Sequence, residues 1–424
     1  MLVAGIIAEY NPFHSGHAYH IAQTRAAGAS HVVAVMSGNT VQRGEFALCR
    51  KEVRARAALA HGADLILGLP TPWSCARAQD FARGGVALLQ ALGVVDWLSF
   101  GSECGDGDLL RRAAALAESP GVQSAMRTRI GEGASFARAR EEALRDVDPS
   151  AAAALRRPND TLAVEYLSAM DCLGADMRPM AVLRRGAGHD GILPEGKAAE
   201  AEKIYPSASE LRKIYRSGEE ETAPSPELRK ISQRGTPVLP GDLTAPWIAE
   251  DLTNGRAPVD MARLNAALLA RWRTMLPADF ARLPDVSEGI EHLLSRAVRE
   301  GRSPDEILEM ACGRRYPRAR LRRILFHAFL GIEAADLHGL PPYLAVLGCN
   351  EAGRALLNFA KQSATLRIAT RTAAIRSLGA TAHRIFEVEC RAANLMALAM
   401  PIPQPCGMEE RRQAIYCDED SFTR

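Results

Sequence analysis

Four apolar runs within the first 105 residues constrain the fold more than any other feature of the chain. LVAGIIA (2–8), HVVAVMS (31–37), ADLILGL (63–69) and VDWLSFG (95–101) are each of strand length and almost continuously apolar. Between them lie amphipathic stretches of helical length, over 17–27, 50–61 and about 75–92. Strands that lack polar alternation must be buried on both faces, and intervening helices supply the cover. The pattern therefore predicts an α/β unit built on a parallel sheet. Ligands of such sheets gather at the carboxyl ends of the strands, which here means 9–20, 37–44, 70–74 and 101–103.

At 424 residues the chain has room for two or three domains. Residues 106–150 read as peripheral helix, 158–170 as a helix with an Asn/Asp start signal, and 177–190 as a strand leading into a loop. The Pro-rich stretch 222–241 is the best boundary, with 1–221 before it and a mainly helical 242–424 after it. The 52 Lys+Arg against 50 Asp+Glu exclude a polybasic chain but not a locally basic surface. Nine scattered cysteines without a C-x-x-C pair exclude a disulfide framework or a zinc ribbon. The N-terminus has no basic n-region and its apolar run stops at Glu9, so no signal peptide is read there. No stretch approaches bilayer-spanning length, and the expected setting is soluble and cytoplasmic.

The sharpest chemical signal is NPFHSGH (11–17), which follows the first strand and opens the first helix. Its H-x-G-H sets His14 and His17 one turn apart where unpaired N–H groups and the helix dipole favour phosphate. Gly16 removes a Cβ from the path of a nucleotide, and two imidazoles, neutral or protonated, can donate to charge building on an α-phosphate. Two other readings stay open: an ordinary polar helix start, and a metal site, since His14, His17 and His20 recur at i, i+3 and i+6.

Three further segments carry weaker signals. SASELRK offers Ser207, Ser209, Arg212 and Lys213 for β- and γ-phosphates, although Ser-x-x-Glu is also a capping box. Lys213 stands out because the chain has only six lysines. In MSGNTVQRGEFA (36–47), Asn39, Gln42, Arg43 and Glu45 face the ligand edge, as acyl or RNA contacts or as a self-bonded loop. Arg314, Arg315, Arg318, Arg320, Arg322 and Arg323 form a run with no acid between Glu309 and Glu333, either an RNA-phosphate surface or a solvated face.

The first 105 residues resemble the nucleotidylyltransferase superfamily. More narrowly, GIIAEYNPFHSGH, MSGNTVQRGEFA, ADLILGLP, FGSE, RPND, RRGAGHD and SASELRK, in that order, resemble the bacterial tRNA(Met) cytidine acetate ligase family. The likeness extends through PYLAVLGCNEAGRALL (342–357). The resemblance implies an H-x-G-H Rossmann-type α/β domain followed by a mainly helical one that binds tRNA. It implies activation of acetate by ATP to acetyl-adenylate and acetylation of N4 of the wobble cytidine of elongator tRNA(Met). Mg²⁺ is expected as for any ATP reaction, and with no acidic metal motif in the sequence it would be held by phosphate oxygens.

It also implies an ATP site made of Ile7, Ala8, Glu9, Tyr10, Asn11, Pro12, Phe13, His14, Ser15, Gly16, His17, Ala18, Tyr19 and His20, with Gly101, Asn159 and Arg184. His14 and His17 are the expected catalytic pair. The GAG loop lacks the Tyr that the family carries before His-Asp, so Gly188 runs straight into His189, and Arg184 and Arg185 both stand as the functional arginine. No protein partner and no protein-held metal are expected. The rival activities are a small-molecule nucleotidylyltransferase and a non-catalytic tRNA-binding protein.

Overall fold

The four apolar runs form neighbouring strands. In a computed structural model describing residues 1–184, 207–217, 230–231, 237–238, 241–287 and 289–418, these are β1 (Val3–Ala8), β2 (His31–Ser37), β3 (Leu65–Leu69) and β4 (Trp97–Ser102). They pair in parallel, and β5 (Arg178–Leu183) adds in parallel beside β4. Across the sheet the order is β3, β2, β1, β4, β5. Strand order reverses between β1 and β4, which opens a crevice at their carboxyl ends.

Both faces are buried, as the unbroken apolar runs require. Val3, Ile7, Val33, Val35, Leu65 and Leu67 enter one core, while Ile6, Val32, Ala34, Met36 and Ile66 enter the other. Helices α1 (Ser15–Ala26), α2 (Lys51–Ala60) and α3 (Ala78–Leu92) occupy the connections. A separate short helix, Thr71–Ser74, precedes α3, where the sequence reading had one helix over about 75–92. Helix α4 (Pro158–Leu173) begins at Pro158 with Arg157 as its N-cap. The expected Asn/Asp start signal therefore sits inside its first turn, and the capping carboxylate comes from another segment. SASELRK lies at α5 (Ala208–Ser217).

The reading of 242–424 as a separate helical unit needs correction. Helices α6 (Ala245–Thr253), α7 (Arg318–Leu330) and α8 (Ala380–Leu398) are there, but β6 (Leu344–Cys349) returns to the main sheet and pairs antiparallel with β3. Short strands β7 (Ile368–Ala369) and β8 (Ile415–Tyr416) pair in parallel with β6. The physical reason is legible afterwards: LAVLGC is buried at every position and covers the otherwise open β3 edge. A further core lies among the helices, around Trp272, Phe280, Leu294, Ile324 and Phe326. Phe46 from the N-terminal region enters it edge-on to Phe326, with ring centroids 5.2 Å apart. Of the 222–241 boundary, most lies outside the described residues. Among the described residues no helix is long and apolar enough to cross a membrane.

Candidate active site

The chain leaves β1 through Tyr10, which holds a left-handed φ of 49°, and a cis Asn11–Pro12 peptide. His14 is then the N-cap of α1, whose first residue, Ser15, lies two positions before the expected start at about His17. Its Nδ1 accepts the Gly16 N–H at 3.0 Å, and His17 Nδ1 accepts the His14 N–H at 3.2 Å. This is a capping box made of two imidazoles in place of the usual Ser/Thr and Glu. Because both Nδ1 atoms are acceptors, each neutral ring must carry its proton on Nε2. The rings lie 3.9 Å apart at 35°. A Cβ on residue 16 would come within 2.9 Å of His14 Cε1, so the glycine is what lets the His14 ring fold over the first turn.

Burial decides the charge of these rings. It lowers the His14 pKa to about 4, helped by the nearby Arg184 and Arg212 guanidiniums. His17 is lowered well below its ordinary value by burial, by His14 and by Arg184. Of the two protonation states open at the sequence level, the structure selects neutral N–H donors. His20 takes a different direction: its Nε2 meets Ser99 Oγ at 2.9 Å, and Thr24 Oγ1 meets the same hydroxyl at 2.8 Å, tying α1 to β4. The three histidines therefore do not converge. Among the described residues no group of three or more His, Cys, Asp or Glu side chains is placed to hold a metal ion.

The remainder of the 7–20 segment builds the cradle. Ile7, Tyr10, Asn11, Pro12 and Phe13 are buried, and Ala8, Ser15, Ala18 and Tyr19 are half-buried. Tyr10 packs edge-on against Phe13 and His17, at centroid distances of 4.9 and 4.8 Å. Glu9 accepts the Gln42 N–H at 2.7 Å, and Asn11 Oδ1 accepts the Leu48 N–H at 2.8 Å. Buried Arg54 donates to the carbonyls of Glu9, Ser37 and Gly38, stapling the ends of β1 and β2.

Gly101 lies at the end of β4, where an added Cβ would approach Arg184 Cγ at 3.3 Å. Arg184, just past β5, is exposed and donates to Asn159 Oδ1 at 3.3 Å. The Asn159 side-chain amide donates to Glu103, whose other oxygen accepts the Asp160 N–H at 2.9 Å. In return Asp160 accepts from Ser102 Oγ at 2.6 Å and the Glu103 N–H at 2.8 Å. The FGSE and RPND blocks thus form one reciprocal clasp. Arg185, the alternative functional arginine, lies outside the described residues.

Helix α5 divides the SASELRK residues. Ser207 and Glu210 form the capping box, with Ser207 N–H to Glu210 Oε2 at 2.5 Å and Glu210 N–H to Ser207 Oγ at 3.3 Å. Lys213 is exposed. Arg212 is buried and donates to the Asn11 carbonyl at 2.6 Å and to Ser209 Oγ at 3.0 Å, which brings α5 to the H-x-G-H loop.

Sequence reasoning missed the clamp on that loop. Ser15 N–H donates to the Gly241 carbonyl at 2.8 Å, and Phe13 N–H to Thr244 Oγ1 at 2.9 Å. Asp242 accepts the Tyr215 hydroxyl at 2.5 Å, linking the clamp to α5. The one available signal was GDLT (241–244), an Asp and a Thr at a helix start directly after the Pro-rich stretch.

The arginine run does not form a bare cationic face. Arg318 pairs with Asp305 at 2.5 Å, while Arg320 and Arg323 approach Asp285 at 3.3 and 3.5 Å. Arg322 donates to the Arg43 carbonyl at 2.6 Å. Arg315 lies over the Tyr316 ring at 5.7 Å, and Arg314 is exposed. The acids missing from the local sequence are supplied by neighbouring helices and loops.

The family described as HIGH Nucleotidyl Transferase matches residues 1–411. Among curated relatives, the tRNA(Met) cytidine acetate ligase of Syntrophotalea carbinolica is 37% identical over 389 residues, covering 89% of this chain and 86% of the relative. That of Halothermothrix orenii is 35% identical over 388 residues, covering 87% of each. A crystal structure of Thermotoga maritima TmcAL bound with alpha-thio ATP superposes with a TM-score of 0.86 at 27% identity. It spans 99% of this chain and 100% of that one. With its H-x-G-H loop at the β1/β4 crevice, the chain belongs to the HIGH nucleotidyl transferase family and, within it, to the tRNA(Met) cytidine acetate ligases.

Proposed function

We propose that the protein activates acetate with ATP and transfers the acetyl group to N4 of the wobble cytidine of elongator tRNA(Met). The observation that carries this reading is the neutral His14/His17 pair at the N-terminus of α1, flanked electrostatically by Arg184 and Arg212. An acetate oxygen attacks the α-phosphorus, the bond to the β-phosphate oxygen breaks, and pyrophosphate leaves. The two Nε2–H groups donate to the negative charge that builds on the α-phosphate oxygens, in a site whose donors are already oriented. The cytidine amine then attacks the acetyl carbon, the carbon–oxygen bond to AMP breaks, and the amine proton passes to solvent. No protein nucleophile enters; the chain supplies position and electrostatics.

Within this reading, the region up to 221 together with the 241–244 clamp holds the nucleotide. The base sits near Gly101 and Asn159, Arg184 reaches phosphate or acetate, and Ser209, Arg212 and Lys213 take the outer phosphates. Mg²⁺ would neutralise charge on the phosphates. The segment from Arg314 into the first turns of α7 faces the tRNA through Arg314 and Arg315, while Arg318 is engaged by Asp305, Arg320 and Arg323 by Asp285, and Arg322 by the Arg43 carbonyl. An anticodon base is already unpaired, so presenting it avoids duplex opening. ATP and tRNA as substrates support a cytoplasmic setting for this activity.

The test is mass spectrometry of tRNA nucleosides after incubation with the protein, ATP and labelled acetate. Labelled N4-acetylcytidine in tRNA(Met), dependent on His17, supports the reading. ATP- and acetate-dependent acetylation at wild-type rate in His17→Ala would remove the catalytic assignment. Adenylate transfer to a small phosphate ester would favour the nucleotidylyltransferase rival.

A further inference from the structure

Arg43 lies at the tip of a hairpin, Thr40–Val41 against Glu45–Phe46, whose backbone is fixed on several sides. Gln42 N–H is held by Glu9 and Leu48 N–H by Asn11, both from the segment leaving β1. From the other side Arg322 of α7 donates to the Arg43 carbonyl at 2.6 Å. Gly44 has a left-handed φ of 72°, and a Cβ there would come within 2.9 Å of Arg323 Cα. The hairpin tip therefore rests directly on the α7 backbone, and an exposed side chain leaves a rigid support.

That side chain reaches across to α5. Arg43 Nη2 donates to Ser209 Oγ at 3.3 Å, and Arg212 Nη2 donates to the same oxygen at 3.0 Å. Two guanidiniums thus converge on one hydroxyl, and among the described residues neither is paired with a carboxylate. Arg216 and Arg322 act on the same cluster. Against these four arginines stand Glu45, paired with Arg216 at 3.5 Å, and Glu9, whose pKa is raised by burial. The cluster carries an excess of positive charge beside the H-x-G-H loop, where Arg212 touches the Asn11 carbonyl. Forked guanidinium donors suit phosphate oxygens better than a single amine does.

We propose that Arg43 binds the β,γ-diphosphate of the nucleotide and the pyrophosphate that leaves, closing with Arg212 and Ser209 around it. This rests on the ATP-dependent reading above and extends it to a residue of the second strand's loop. It also turns Arg43 away from the acyl or RNA contact that its sequence position suggested. Arg322 acts through the Arg43 backbone and is a positioning residue.

The test compares pyrophosphate and AMP binding to the full chain by titration calorimetry, for wild type, Arg43→Met and Arg43→Lys. AMP lacks the β- and γ-phosphates, so it reports whether the rest of the site is intact. Arg43→Met should weaken pyrophosphate about tenfold or more and leave AMP within about twofold, with Arg43→Lys recovering part of the loss. Pyrophosphate binding to Arg43→Met within about threefold of wild type overturns the assignment, as does an equal loss for AMP. If wild type binds neither molecule, it is the nucleotide reading itself that fails, and the assignment of Arg43 falls with it.

Discussion

His17 Nδ1 accepts the backbone N–H of His14, while His14 Nδ1 accepts that of Gly16, so the two rings cap the helix that they serve. One pair of interactions thus does two jobs: it satisfies orphan N–H groups of α1, and it fixes both protons on Nε2. Separating these jobs gives the first expectation. His14→Asn keeps a good N-cap, whereas His14→Ala removes it at a cost of about 1 kcal/mol. Both should slow acetyl-adenylate formation by about 10²–10³-fold, the range for losing one preorganised donor. Urea unfolding alongside single-turnover kinetics checks this; a His14→Asn variant that is stable and fully active would break the link.

Acidification should destabilise the protein in a defined window. His14 and His327 are buried and His20 half-buried, and loss of solvent lowers the pKa of each to about 4. In the unfolded chain they titrate near 6.5. Between about 6.5 and 4 the unfolded state binds more protons, so stability falls as pH drops through this window and levels off below it. Each residue contributes up to about 3 kcal/mol. His327→Gln, remote from the site, should flatten the dependence in urea midpoints measured from pH 7 to 4.5. The activity profile should likewise show no acid limb near 6.5 from the histidine pair.

Gly353 should tolerate no side chain. A Cβ there would lie 1.9 Å from the Asp64 carbonyl oxygen, and both groups are backbone-fixed. The helix Glu351–Ala360 is capped by Asn350, whose amide also donates to Asp64 Oδ1 at 3.0 Å, so it cannot back away cheaply. Gly353→Ala should cost about 1–3 kcal/mol or more, seen as a lower melting temperature. A wild-type melting temperature would show that the C-terminal strand region does not seat against β3 as described.

Lys51 is the buried hub of the C-terminal closure. It pairs with Glu409, lies 4.0 Å from Glu389, and Arg412 holds the other Glu409 oxygen at 2.9 Å. Burial alone would raise Glu409, but Lys51 and Arg412 outweigh it and hold it below its ordinary value, whereas burial keeps Glu389 raised. Lys51→Met leaves two carboxylates undercompensated and should cost about 3–5 kcal/mol. The folded-state carboxyl pKa values rise in the variant, so its deficit should be smaller at pH 5 than at pH 8. A deficit independent of pH would mean the loss is one of packing.

The parallel sheet, its carboxyl edge and the H-x-G-H loop at the start of α1 were legible in the amino-acid order. These depend on local pattern: strand-length apolar runs need cover on both faces, and a glycine between two histidines at a helix start has few other uses. Ordered blocks such as FGSE and RPND were legible as site segments, but not their reciprocal clasp, because Glu103 and Asp160 meet only once β4 and α4 are packed. The charge of the histidines was not legible there, since burial lowers their pKa values and burial depends on packing. Tertiary structure returned LAVLGC to the sheet, because an open β3 edge needed pairing. It also supplied Asp285 and Asp305 to an arginine run that has no acid within it. Distances along the chain fix periodicity and caps, whereas electrostatic partners and edge pairing depend on which segments end up adjacent in space.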